Sequence, residues 1–155
     1  MNTPADVSPV PLWRRLAAAS YDALVVLALW FIATALVMPL SHGAISREHP
    51  LTEFAYQLYL LAVGFLFFAG FWIRNGQTLG MLAWRVKAVQ ADSRAKITWR
   101  QALIRYLAAY LSWAALGLGF WWSLWDKDKK TWHDRLSGTE LRPAVSFTEI
   151  SNPKN

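Results

Sequence analysis

The feature that most constrains this chain is a pair of long apolar runs joined by a short polar loop. Residues 16–38 are predominantly apolar, and residues 54–73, FAYQLYLLAVGFLFFAGFWI, carry no charge at all. A helix needs about 20 apolar residues to cross the hydrocarbon of a bilayer, and both runs reach that length. Tyr56 and Tyr59 near one end of the second run, and Trp72 near the other, suit the two headgroup layers. The reading is an all-α integral membrane protein. Composition points the same way: 55% of the 155 residues are hydrophobic and ten are Trp. A soluble domain averages about 45–50% apolar even with Gly counted.

Pro39 is expected to end the first helix. The leader at residues 1–11 holds Pro4, Pro9 and Pro11 and reads as disordered. The first run is too long for a cleaved signal and is interrupted by Asp22, so it reads as a span. The expected organisation is a membrane domain over residues 12–142, with spans at about 16–38 and 54–73, followed by a flexible tail at 143–155.

Charge orients these spans. The loop between the runs holds one basic residue, Arg47, whereas residues 74–100 hold six. Basic loops stay in the cytoplasm, which places that stretch and, two spans earlier, the N-terminus on the inner side. Arg14 and Arg15 agree. The net charge of +6 is then a membrane signature and not one of nucleic-acid binding. The partners expected are the bilayer, anionic headgroups at the basic cytoplasmic face, and further copies of the chain in a homo-oligomer.

The third run, residues 103–125, admits two readings. A full crossing would put a tail with six basic residues, Lys127 to Lys154, outside the cell. A re-entrant bend near residues 117–119 keeps that tail in the cytoplasm. Gly weakens a helix by about 1 kcal/mol relative to Ala, so Gly117 and Gly119 favour a bend. Phe120, Trp121, Trp122 and Trp125 suit an interface better than the bilayer centre. The bend is preferred, and the ordinary third span stays open.

Asp22 poses the sharpest question. A charged Asp at depth costs about 2.5–3.5 kcal/mol on insertion scales. It lies two helical turns, about 10 Å, beyond Arg15 on the same helix face. Ala18 and Ala19 on that face let another element approach closely, so Asp22 is expected to face the protein interior. It is then either an ion or proton site or a polar clasp that fixes helix packing.

Other chemistry is sparse. There is no Cys, and His42, His49 and His133 show no metal-ligand spacing. No cofactor or metal is expected. NGQTLGM lacks the Lys and spacing of a phosphate loop. The pair His133–Asp134 has the chemistry of a general base, but no Ser stands in a nucleophile context, so the chain does not read as an enzyme. WRVKAV alternates weakly, and a short strand there could pair with TEL (residues 139–141) on the cytoplasmic face.

Three blocks together, RRLAAASYD with Arg15 and Asp22, GQTLGMLAWRVKAV, and KKTWHDRLSGT with Asp134, resemble the RDD family of bacterial membrane proteins. The family is named for one arginine and two aspartates, and the three blocks occur in its order over about residues 11–141. One departure is Met-Leu-Ala after Gly80, where the family commonly places a basic residue. The resemblance implies a multi-pass protein of the bacterial inner membrane. It also implies a polar cluster of Arg15, Asp22 and Asp134, with His133 and Arg135 as contributors. Transport of unidentified ligands has been suggested for the family, and some members look like cation/proton exchangers. A small cation or proton pathway through Asp22 and a non-catalytic accessory module that binds a partner or anionic lipid are the two functions that follow.

Overall fold

A computed structural model describes residues 10–41, 50–115, 117–127 and 130–144. Most of the leader, the loop holding His42, Arg47 and His49, and the tail beyond residue 144 lie outside the described residues.

Two long helices dominate. Helix α1 spans Leu12–Ser41 and α2 spans Pro50–Arg74, and both are long and apolar enough to cross a membrane. Each exceeds the run that marks it in the sequence, because helical hydrogen bonding continues into the flanking polar residues. Pro39 does not end α1; it sits inside the last turn. Its missing N–H removes the bond to the Ala35 carbonyl, but this falls only two residues before the helix ends, so little helix beyond it is affected.

Side-chain hydrogen bonds clasp α1 to α2 far from the N-terminus of α1. The Trp30 indole N–H donates to the Leu60 carbonyl at 2.9 Å, and Thr34 and Tyr56 share a hydroxyl bond of 2.6 Å. The outer faces of both helices remain bare, with Leu24, Phe31, Leu36, Phe54 and Leu66 all exposed.

The buried core collects instead at the other end, where α1 begins and α2 finishes. There a cap assembles from α3 (Leu79–Ala83), β1 (Val86–Gln90), α6 (Trp132–Ser137) and β2 (Thr139–Pro143). Strands β1 and β2 pair antiparallel, with Val86 opposite Pro143 and Gln90 opposite Thr139. Val86 and Ala88 turn into the core with Ala69, Trp72, Ile97 and Leu141.

The third apolar run does not form one helix. Helix α4 covers Trp99–Ala114, opened by a capping box between Thr98 and Gln101. Its 16 residues fall short of the length needed to cross the hydrocarbon. The chain then breaks at Gly117, whose φ of 77° only glycine adopts without strain. A short helix, α5 (Leu118–Trp121), and a 3₁₀ turn over Trp122–Leu124 follow. This segment folds back along α4: a Cβ on Gly119 would lie 2.4 Å from Ser112 Oγ and 3.2 Å from the Trp132 ring. The return brings α6 beside the first half of α4.

Candidate functional site

Two buried polar constellations stand on α1, one built around each aspartate. Asp134 is the hub of the first. It occupies the third position of α6, where its side chain and Thr131 form a capping box. The Thr131 hydroxyl donates to Asp134 Oδ2 at 2.7 Å. The same oxygen accepts from Arg15 Nη1 at 3.3 Å, while Oδ1 accepts from Arg105 Nη1. Arg105 also donates to Thr139 Oγ1 at 2.6 Å, and Arg15 Nε donates to the Val10 carbonyl at 3.0 Å. Relative exposures are 5% for Arg15, 1% for Arg105 and 1% for Asp134. One carboxylate therefore ties the start of α1, the middle of α4 and the cap together in a region without solvent.

Electrostatics follow from that geometry. Burial alone would push the Asp134 carboxyl up; the adjacent Arg105 guanidinium, with His133, Arg15 and the Thr131 hydroxyl, outweighs it and holds the carboxyl well below the usual range. His133, the preceding residue on α6, is buried, and desolvation pulls its imidazole down to about 4 against the opposing pull of Asp134.

Asp22 belongs to the second constellation. Its Oδ2 accepts from the Thr78 hydroxyl at 2.5 Å and its Oδ1 from the Gly80 backbone N–H at 2.8 Å. Thr78 caps α3 and accepts in turn from Met81 N at 3.2 Å. The carboxylate thus closes the N-terminus of α3, whose free N–H groups favour negative charge. Contact is close: a Cβ on Gly80 would lie 2.2 Å from the Ala18 carbonyl oxygen. Ala18 and Gly80 together let backbone meet backbone, which is what puts Thr78 within reach of Asp22.

Among the residues singled out by sequence, the structure joins Arg15 and Asp134 directly and sets His133 beside them. Asp22 makes its hydrogen bonds elsewhere, to α3. Arg135 points away from the hub; its side chain is 51% exposed and donates to Asp126 at 2.5 Å. Among the described residues, Arg105, Thr131 and Thr139 at the hub, and Thr78 and Gly80 at Asp22, escaped the sequence reading. Arg105 carried a usable signal, since a cation inside LIRYLAAYL raises the same question as Asp22 in its own run.

The two constellations border one cavity of about 380 Å³. It runs between α1 and α4, each of which packs on α2 and leaves a gap to the other. Arg15, Arg105 and His133 mark one end, Asp22 lies on the wall, and Trp30 and Trp113 mark the far end. Among the described residues no group of three acids or histidines is gathered as metal ligands.

The RDD family model matches residues 9–138, and the chain belongs to this family. No curated protein and no solved structure matches the chain.

Proposed function

We propose that the chain is a multi-pass protein of the bacterial cytoplasmic membrane that acts without catalysis, as a module binding a small ligand in the cavity between α1 and α4. In this reading α1 and α2 are the spans, the cap is cytoplasmic, and α4 with α5 enters the bilayer and turns back. The bare apolar faces of α1 and α2 support it, since a soluble protein rarely leaves so much contiguous apolar surface uncovered. The surplus of basic residues on the cap supports the orientation.

The observation that carries the binding role is the cavity itself. Its volume lies within the range of small-molecule sites, and its walls are mostly apolar, with Arg15, Arg105 and His133 at one end and Asp22 on the wall. A cation pathway through Asp22 is the second reading, favoured by the position of that carboxylate on the cavity wall. Against it, both Asp22 oxygens are engaged by Thr78 and Gly80, so a passing ion would have to displace α3.

The test combines topology with flux. A reporter fused after Asn155 should be active on the cytoplasmic side, and proteoliposomes bearing wild type or Asp22→Asn should dissipate a sodium or proton gradient no faster than empty vesicles. A fusion active only outside overturns the orientation. Flux that is present in wild type and lost in Asp22→Asn overturns the binding role in favour of transport.

A further inference from the structure

Resting on the membrane reading above, we propose that the occupant of the cavity is an anionic phospholipid of the surrounding bilayer, its phosphate at Arg15 and Arg105 and one acyl chain lying between α1 and α4.

Charge comes first. Arg15 and Arg105 bring two positive charges to the hub, and among the described residues Asp134 is the single acid hydrogen-bonded to them. Asp22 does not make up the difference locally, because its oxygens are held by α3 about 10 Å farther along α1. A surplus cation buried at the mouth of an apolar cleft calls for an anion that carries an apolar body. Two donors on the cleft wall strengthen the demand. Arg105 Nε and the Trp72 indole N–H are buried and have no acceptor among the described residues. The two groups stack, with the guanidinium 5.2 Å from the ring centre, so one phosphate approaching Arg105 also approaches Trp72.

Depth and shape agree. Arg15 lies in the first turn of α1, beside the exposed Trp13, which suits the headgroup layer. From there to Trp30 the cleft follows α1 for about 22 Å, enough to cover the roughly 15 Å of hydrocarbon in one leaflet. Ala18, Ala19, Ala23 and Ala109 line its length, and their small side chains leave room for one chain but not for another helix. A void of this kind inside a bilayer would forfeit its van der Waals contacts on one side, and an acyl chain restores them.

The experiment is native mass spectrometry of the protein taken from vesicles of equimolar phosphatidylcholine and phosphatidylglycerol. The wild type should retain one phosphatidylglycerol per chain in preference to phosphatidylcholine. The double variant Ala23→Phe/Ala109→Phe fills the cleft and leaves the Asp134 hub intact. It should stay folded and lose retained phosphatidylglycerol by about tenfold, with excess phosphatidylglycerol raising the melting temperature of the wild type alone. Arg15→Lys, which keeps a charge but loses the fork, should weaken the preference for the anionic lipid while leaving a lipid bound. Equal retention of the two lipids, equal retention by the filled variant, or retention of free fatty acid instead of phospholipid overturns the proposal. Each of these leaves the membrane reading standing, whereas failure of the wild type to insert into the vesicles overturns both.

Discussion

Replacing Asp134 by Asn is the most informative single perturbation. Asn keeps the volume and its oxygen can still accept from the Thr131 hydroxyl, but its NH2 then faces Arg105, so the change removes the charge and one acceptor together. Two guanidiniums at 5% and 1% exposure would then share a dry pocket with no acid to neutralise them. Breaking a buried ion pair from one side typically costs about 3–5 kcal/mol. For a chain of this size each kcal/mol moves the melting temperature by about 2–4 °C, so the loss should be about 6–20 °C. The measurement is a thermal melt of purified protein in neutral detergent, followed by size exclusion after heating. Arg135→Ala serves as the comparison. Its partner Asp126 is also a buried carboxylate, but it keeps the Lys130 backbone N–H as a donor and the Arg135 side chain is 51% exposed, so water can take the guanidinium's place and the change should cost less, about 1–3 kcal/mol. Removing every charge of the hub at once, with Arg15→Met, Arg105→Met and Asp134→Leu, should cost less than Asp134→Asn alone, because no lone charge stays buried. A melt of Asp134→Asn that coincides with that of Arg135→Ala would refute the reasoning.

Two further outcomes follow from the same geometry. Gly80→Ala places a methyl group against the Ala18 carbonyl and the Asp22 carboxyl carbon, so α3 should lift from α1 at a cost of about 1–3 kcal/mol or more, read as faster proteolysis between residues 74 and 90; an unchanged cleavage rate counts against the close contact. His133 is held at about 4 in the fold and returns to about 6.5 when unfolded, so the unfolded chain binds the extra proton. Stability should be flat above about pH 7 and fall by up to about 3 kcal/mol as pH drops from 6.5 to 4, and His133→Gln should flatten that limb. The Asp134 carboxyl is shifted down, so its contribution is complete above the ordinary carboxylate pKa and is lost only below it, which keeps the two limbs apart.

Much of this architecture is legible in the chain itself. Long apolar runs report helices well because twenty consecutive residues carry the signal, and α1 and α2 lie where those runs are. The break at Gly117 was legible for a local reason, as was the pairing of RVKAV with TEL, whose short alternating stretches need only one partner each. The partners of the two aspartates were harder. The family resemblance pairs Asp134 with Arg15, but the length of the apolar run that holds Arg105 masks its lone cation. What engages Asp22 is a backbone N–H and a threonine hydroxyl, and neither residue type stands out in a sequence. Arg135 stands next to Asp134 in sequence, yet successive residues on a helix point about 100° apart, and it faces outward.

The distance along the chain between Arg15 and its acid, 119 residues, has a consequence for biosynthesis. At about 5–20 residues per second a ribosome takes roughly 6–24 s to make the intervening stretch. Throughout that interval the first helix has already left the ribosome with a cation that has no counterpart. Helix α6 brings the acid, so the hub closes only once a segment made long after α1 has folded against it. A nascent chain released early keeps a guanidinium without its acid.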